Sequence, residues 1–431
     1  MIPLWRPLFA ALVALGLAWP LDHFVPLVPR KSLVRIPVLV MTSLVAIYLW
    51  LAAPVLLALA VLIVGWSIRE ARKKPRPAPN DRAPFEAFLG ATALLLFVML
   101  AARPAAPCYW DAFVWLGKAR VASLGPARLI AGGLAPSTPV FIPQGYPVFE
   151  PLAVALLGDL SPETRDVVAG GVGFEILALF LFMGALAEDA ASDAVRQARL
   201  AVVALMLVCS PLVVVHLRSA YVDLPLGLMA AALAMLVTHK KTAFACAVLA
   251  MAIAVTKDEG LVHVVVIGLA ALVRSRTEQG EDRIALRNRA LATLGGGLAT
   301  AGSWHLRLHL ANVANTDHAI SVPTFARILP LGKFVVEHVS DFRSWGALWV
   351  LALGAAVAIV LKPKSAPKSA IWFASLFFSV AFVMFGGLLS IPGQVMEFAA
   401  GGSLLNRLGV QLSPYAALLV ASWVVPAADW M

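Results

Sequence analysis

The sequence predicts an all-α polytopic membrane protein, a bundle of about eleven to thirteen transmembrane helices. Three observations predict this class: 61% of the 431 residues are hydrophobic, only 13% are charged, and the mean hydropathy is +0.87. The apolar runs are continuous, whereas the strands of a transmembrane barrel would alternate. The net charge of +10 is therefore assigned to membrane-flanking loops, and no nucleic-acid partner is expected.

The predicted spans follow the apolar runs and end at polar, proline or glycine breaks. The first run lacks a clean cleavage pattern and is interpreted as a retained helix, while Pro54 divides the next long run into two short helices. The spans are predicted at residues 8–25, 34–51, 54–69, 85–103, 165–187, 200–215, 222–238, 242–256, 260–273, 290–304, 346–361, 369–388 and 412–428.

Lys and Arg are concentrated in every second loop from residue 69 onward. Five such loops carry 18 of the 34 Lys and Arg, and the positive-inside rule places them on the cytoplasmic side of the membrane. The five basic loops are residues 69–84, 188–199, 239–241, 274–289 and 362–368. The alternate loops, which are expected to face outward, are residues 104–164, 216–221, 257–259, 305–345 and 389–411.

One outward hairpin, in "AIAVTKDEGLVHVVV" (252–266), places Lys257, Asp258 and Glu259 between two apolar runs. Two interpretations are open. The hairpin is polar because its backbone needs water at the membrane surface, or its charges belong to a functional site. His263 lies one helical turn beyond Glu259 and is expected to pair with it.

The preceding outward turn, "HLRSAYVDLPLGL" (216–228), contributes Arg218, Tyr221 and Asp223. Asp223 is suited to cap the N-terminus of the following helix, because its carboxylate can accept hydrogen bonds from the first amides. That role is compatible with a functional one, so both interpretations are kept.

The long outward loop is predicted to hold two interfacial helices. In "CYWDAFVWLGKARVASLG" (108–125), Trp110 and Trp115 are typical of interfacial anchors. Asp111 is flanked by aromatic residues, and partial desolvation there would raise its basicity. The second helix lies in "FIPQGYPVFEPLAVALLGDL" (141–160), after Tyr146.

Taken in their order along the chain, these four stretches and "SLLNRLGVQLSPYAALL" (403–419) resemble the GT-C membrane glycosyltransferases. That group includes protein O-mannosyltransferases and lipid A aminoarabinose transferases, and the chain is similar in particular to bacterial glycosyltransferase family 39. The resemblance covers residues 85–428 and implies a GT-C-like catalytic module that includes the 104–164 loop. Residues 1–84, with N-terminal membrane helices and a basic loop, lie outside it.

The resemblance implies transfer of a sugar from a polyprenyl-phosphate donor to a glycan, lipid or protein acceptor. It also implies that this happens at the outer face of a bacterial inner membrane. It implies that Asp111 is the catalytic base, and it places Asp223, Lys257 and Arg407 at the family's later charged positions. Ala112 stands where several relatives carry Glu, which weakens the case for a metal site on that pair. No cofactor is assigned, and a divalent metal remains an open alternative.

Such a reaction needs a base for the acceptor's proton and cations for the departing phosphate. The expected donor-phosphate ligands are Lys257, Arg407 and Arg218. The expected substrate-binding residues are Asp223, Tyr221, Asp258, Glu259, Trp115, Lys118 and Tyr146. The alternative function is a secondary transporter or lipid flippase. It is less favoured because no internal repeat is evident and the charges gather at one interface.

Overall fold

A computed structural model describes residues 32–59, 61–62, 110–123, 147–157, 164–188, 192–217, 221–239, 243–313, 322–390 and 399–426. The described residues are largely helical and contain no strand, which confirms the all-α class. The predicted spans 8–25 and 85–103 lie outside them. The helices are α1 (Arg35–Ala52), α2 (Trp110–Ser123), α3 (Phe149–Leu157), α4 (Thr164–Glu188), α5 (Asp193–Val208), α6 (Pro211–His216), α7 (Asp223–Thr238), α8 (Ala243–Ala254), α9 (Asp258–Ser275), α10 (Gly280–Leu310), α11 (Ile328–Val339), α12 (Phe342–Trp345), α13 (Leu348–Leu361), α14 (Lys368–Gly387) and α15 (Ser403–Val424).

Three described helices are long and apolar enough to cross a membrane: α1, the Gly170–Glu188 part of α4, and α14. Three shorter apolar helices are α7, α8 and α13. α1 ends at Ala52, just before the predicted break at Pro54. These helices are consistent with a membrane location, while the larger number of spans remains a prediction.

Helix α7 lies in the centre of the bundle and is buried along almost its whole length. It packs against α4, α8 and α15, and α8 and α9 both pack against the long helix α10. α7 is rich in Ala and Leu, and its uniform burial explains why it is apolar on every side. A helix enclosed in this way holds its first residue, Asp223, at a fixed place at one end of the bundle.

Buried arginines satisfy carbonyl groups at the opposite end of the bundle. Arg196 Nε donates to the Ala187 carbonyl at 2.6 Å, near the end of α4. Arg199 Nε lies 3.0 Å from a carbonyl oxygen just beyond α15, and Arg289 Nε lies 2.8 Å from one near the end of α7. The last carbonyls of a helix lack intrahelical partners, so these side chains stabilise three helix ends. All three arginines lie in helices, α5 and α10, within segments that the charge pattern predicted to be cytoplasmic loops.

Helix α1 packs against helices of the region that carries the resemblance. Ser32 Oγ, just before α1, donates to Glu188 Oε1 at 2.6 Å. The Tyr48 ring meets Phe149 of α3 edge to face, with centroids 5.8 Å apart. Arg307 of α10 donates to a carbonyl at the end of α1 at 3.0 Å. The N-terminal segment therefore contributes a helix to the same bundle.

The two helices predicted in the long outward loop are present as α2 and α3. They pack against each other and against α4. α3 differs from the expected interfacial helix, because eight of its nine residues are buried. At about 1.5 Å per residue α3 is much too short to span a bilayer core, so it is enclosed by its neighbours.

Candidate functional site

Four charged side chains meet at the end of the bundle opposite the capping arginines. Lys257 Nζ lies 2.8 Å from Asp223 Oδ1 and 3.0 Å from Glu259 Oε1. Arg407 Nε lies 3.1 Å from Asp223 Oδ2. We call Asp223, Lys257, Glu259 and Arg407 the ionic cluster. It contains two carboxylates and two cations, and so it is formally neutral.

The position of Asp223 opposite Arg407 follows from close packing of α7 on α15. Arg407 faces Asp223, and four residues further along each helix Gly227 packs on Gln411, so the two helices run in the same direction. A Cβ on Gly227 would lie 2.5 Å from the Gln411 carbonyl oxygen. Only a glycine allows this approach. As a result, Gln411 Nε2 also reaches Asp223 Oδ1, at 2.7 Å.

Lys257 lies in the tight connection between α8 and α9, and it is 1% exposed. Thr256 beside it is fully buried, and Gly260 packs so closely on α8 that a Cβ there would collide with the Ile253 carbonyl. The interpretation of this hairpin as a hydrated turn is therefore wrong. The lysine is buried because two carboxylates neutralise it.

The helix-capping interpretation of Asp223 is also wrong. Val222 occupies the N-cap position of α7, and no side chain caps that end. Asp223 is the first helical residue, and its carboxylate is engaged by Lys257, Arg407 and Gln411. Charged partners from other segments of the chain, Lys257 and Arg407, compete successfully with the amides of its own helix, because charge-assisted hydrogen bonds are the stronger ones.

His263 lies one turn below the cluster but does not form its expected hydrogen bond with Glu259. Its Nδ1 lies 3.2 Å from the Tyr415 hydroxyl, and its Nε2 lies 3.3 Å from Gln411 Oε1. The His263 and Tyr415 rings are stacked at 5.7 Å. Gln411 thus connects the ionic cluster with a buried polar pair in the bundle.

Helices α2 and α3 add a lysine and a glutamate to this end. Lys118 is 2% exposed and interacts electrostatically with Asp258 and Glu150. Burial lowers the pKa of Lys118 to about 8, and burial raises the pKa of Glu150 to about 8. Glu150 also interacts with Glu175 of α4, whose two carboxylate oxygens have no hydrogen-bond partner.

The other predicted site residues are only partly described. Asp111 and Trp115 belong to α2, but their side chains lie outside the described residues. Tyr146 and Arg218 lie outside them altogether. Tyr221 is described, and its ring lies 4.9 Å from that of His216. Asp111, the expected catalytic base, therefore lies on the same helix as Lys118, but its side chain is outside the described residues.

Arg407 lies within the last helix rather than before it. α15 starts at Ser403 and passes through Pro414, whereas the last span was predicted to start at residue 412. The polar first turns of α15 carry no continuous apolar run, so hydropathy placed the start too late. Arg407 is thereby fixed on the same helix as Gln411.

Three important positions were missed by the sequence interpretation: Gln411, Glu150 and Gly227. Gln411 follows Arg407 by four residues, a spacing that places the two on one helix face and was available in the sequence. No local signal marks Gly227, because its importance depends on which helix lies opposite. Glu150 was quoted within its stretch but given no role.

The partly exposed members of the ionic cluster indicate what it can bind. The side chains of Arg407 and Glu259 are 21% and 20% exposed, whereas those of Lys257 and Asp223 are nearly inaccessible. A ligand would thus meet a guanidinium suited to phosphate and a carboxylate suited to hydroxyl groups. Among the described residues no group of three or more His, Cys, Asp or Glu could hold a metal ion.

Comparison with protein-family models, with curated proteins and with solved structures finds no match to this chain. The fold and site define its class as an all-helical protein with candidate membrane-spanning helices and a buried ionic cluster at one end of the bundle.

Proposed function

We propose that the protein is a GT-C-type membrane glycosyltransferase that transfers a sugar from a polyprenyl-phosphate donor to an acceptor at the outer membrane face. One observation carries the proposal: residues from all five stretches behind the resemblance meet at one end of the bundle. Three stretches form the ionic cluster. The other two supply Lys118 and Glu150, which interact with each other, and Lys118 also interacts with Asp258.

In this proposal the donor phosphate binds Arg407, the more accessible cation of the cluster. Lys257 lies behind it and adds positive charge, while Asp223 holds both cations in place. Arg218, which the sequence predicts in the same outward turn as Asp223, is the third expected phosphate ligand. Low local dielectric strengthens each of these contacts.

The reaction breaks the acceptor O–H bond and the bond between the sugar carbon and the phosphate oxygen. The acceptor oxygen bonds to the sugar carbon, the electron pair of the broken bond leaves with the polyprenyl phosphate, and Asp111 takes the proton. Cations beside the leaving phosphate stabilise its growing charge. In this proposal Tyr221, Glu259 and Asp258 contact substrate hydroxyl groups.

Purified protein should release polyprenyl phosphate from at least one member of a panel of polyprenyl-phosphate sugars when offered glycan, lipid and protein acceptors. Asp111→Asn should lower turnover by about 10² or more while donor binding persists, because it removes the base but keeps its size. The matched control is Asp282→Asn, an exposed acid in the first turn of α10. Near-normal turnover of Asp111→Asn would assign the proton to another group.

The outward location can be tested with single cysteines in a variant that lacks the three native ones. An impermeant thiol reagent is added from outside. It should react with cysteines at the end of the bundle that carries the ionic cluster, and not with cysteines at the opposite end. Reactive positions are expected at Ser340 and Gly401, and unreactive ones at Ser192 and Ser365. The reverse pattern would place the ionic cluster in the cytoplasm and end the proposal.

A secondary transporter is the second candidate, and Glu175 favours it. Glu175 is buried in a candidate membrane span, and both its carboxylate oxygens lack a hydrogen-bond partner. Ionisable groups inside spans commonly carry protons or ions across. Proteoliposomes with an internal pH dye should then show a proton flux that Glu175→Gln abolishes. If the protein shows no proton flux but still transfers sugar, the transporter function is refuted and the glycosyltransferase function stands.

A further inference from the structure

Large apolar side chains are exposed along the segment 322–342, which belongs to an outward loop of the predicted topology. The segment contains a short 3₁₀ turn, Phe325–Arg327, and helix α11 directly after it. Six of its apolar side chains are between 49% and 85% exposed: Val322, Phe325, Ile328, Leu329, Val336 and Phe342. Exposed apolar surface that is concentrated in one place usually marks an interaction site.

Helix α11 contacts the bundle with one side only. Leu331 is the residue of this helix that is buried, and Phe334, Val335 and Val339 are partly buried against the core. These positions are spaced by three, one and four residues, as expected for one face of a helix. The rest of the circumference of α11 is open to its surroundings.

The open part of α11 is divided into an apolar side and a charged side. We call Phe325, Leu329, Gly332 and Val336 the apolar stripe. Its members are four, three and four residues apart, so they follow one line along the helix. Lys333 and Glu337 lie beside the stripe, where Lys333 Nζ is 3.8 Å from Glu337 Oε1 and both side chains are exposed. This division is typical of a helix that lies in a membrane surface.

Two contacts attach the segment to the ends of long helices. The Thr324 N–H donates to the Leu389 carbonyl at 2.8 Å, two residues beyond the end of the candidate span α14. At its other end α11 packs on the residue before α15, because a Cβ on Gly402 would lie 2.5 Å from the His338 ring. Gly402 has a φ of 76°, in the left-handed region that favours glycine. Helix α11 is therefore held at the level where a candidate span ends.

This level favours a lipid surface as the partner of the apolar stripe. Helix α14 has exposed apolar side chains of its own, among them Phe378, Phe382 and Val383, which suit contact with hydrocarbon. A helix attached at the end of such a span lies where acyl chains meet headgroups. There the stripe exchanges contact with water for contact with acyl chains, while the Lys333–Glu337 pair stays in water.

We propose that the apolar stripe inserts into the lipid leaflet on the side of the ionic cluster, so that α11 is an interfacial anchor beside the start of α15. The partner is the boundary between the headgroups and the acyl chains of that leaflet. The sequence predicted interfacial helices in the 104–164 loop, whereas this anchor comes from the 305–345 loop. The anchor requires a membrane location but does not depend on sugar transfer.

Quenching of a fluorescent label by lipids tests the anchor. Single cysteines are introduced into the full-length protein without its three native cysteines, labelled with an environment-sensitive dye and placed in nanodiscs. The nanodiscs contain phosphatidylcholine and a lipid with a nitroxide near the top of its acyl chain. Quenching at Leu329→Cys and Val336→Cys should be at least about 3-fold stronger than at Lys333→Cys and Glu337→Cys, because only the apolar side reaches the acyl chains.

The two charged positions are the matched controls, since they lie on the same helix and differ only in direction. Phe382→Cys on α14 is the reference for lipid contact and should be quenched by the nitroxide lipid. Ser365→Cys, in the basic loop 362–368, is the reference for water and should be quenched by iodide. All substituted positions are exposed, so no core contact is removed.

Equal quenching on both sides of α11, with Phe382→Cys quenched, would overturn the anchor. Protection of the stripe from both the nitroxide lipid and iodide would also overturn it, because a second copy or another protein would then cover the stripe. An unquenched Phe382→Cys would refute the membrane location and the anchor with it. A protein that transfers no sugar but shows the expected quenching supports the anchor and refutes only the proposed function.

Discussion

Removal of the Asp223 charge is the most informative change to the ionic cluster. Asp223→Asn keeps the side-chain shape but leaves Lys257 and Arg407 close together without the carboxylate that they share. Breaking a buried ion pair by removing one partner costs about 3–5 kcal/mol, because an uncompensated charge stays buried. We expect the free energy of unfolding to fall by that amount.

Lys257→Met should be less destabilising, at about 1.5–3 kcal/mol, the range of hydrogen bonds to charged groups. In that variant Asp223 retains Arg407 at 3.1 Å and Gln411 at 2.7 Å. The double variant should lose less than the sum of the two single losses, since both remove the same contact. The coupling energy from this cycle measures the Asp223–Lys257 pair.

Reversible unfolding in mixed micelles with increasing sodium dodecyl sulfate, followed by circular dichroism, provides the free energies. Asp282→Asn is the control, because its side chain is exposed and should change stability by no more than about 0.5 kcal/mol. The reasoning is refuted if Asp223→Asn resembles this control, or if the losses of the two cluster variants are additive.

Two further changes test the packing and the titration of this end of the bundle. Gly227→Ala should destabilise the protein by about 1–3 kcal/mol in the same unfolding assay, because the new Cβ would meet the Gln411 carbonyl at 2.5 Å. Gly302→Ala, a helix position with nothing within 4 Å, should be neutral or stabilising, and equal losses in both would contradict the close-approach argument. Burial raises the pKa of Glu150 from 4.5 to about 8, so its protonated form stabilises the fold fully below pH 4.5, and this contribution is lost as the pH rises to 8. Glu150→Gln should therefore gain thermal stability relative to the wild type between pH 5 and pH 8, and a constant difference would contradict the burial effect.

The sequence by itself determined the class of the protein. Hydropathy is a sum over neighbouring residues, so continuous apolar runs predict helices without knowledge of their partners. The break at Pro54 is equally local, because proline removes a backbone donor wherever it stands. The charged residues of the site were also found from sequence, since Lys257, Asp223 and Arg407 are conspicuous in apolar surroundings.

Only the tertiary structure decided how those residues are used. Asp223 pairs with residues 34, 184 and 188 positions away, and His263 turns to Tyr415 rather than to its neighbour Glu259. Local spacing predicts contacts within one helix, such as a cap or a pair one turn apart. Contacts between helices depend on the register of one against another, which at this site is determined by the close approach of α7 to α15 at Gly227. That register exists only when distant segments pack, which is why a hydrated turn and a helix cap were reasonable from sequence and wrong in the folded chain.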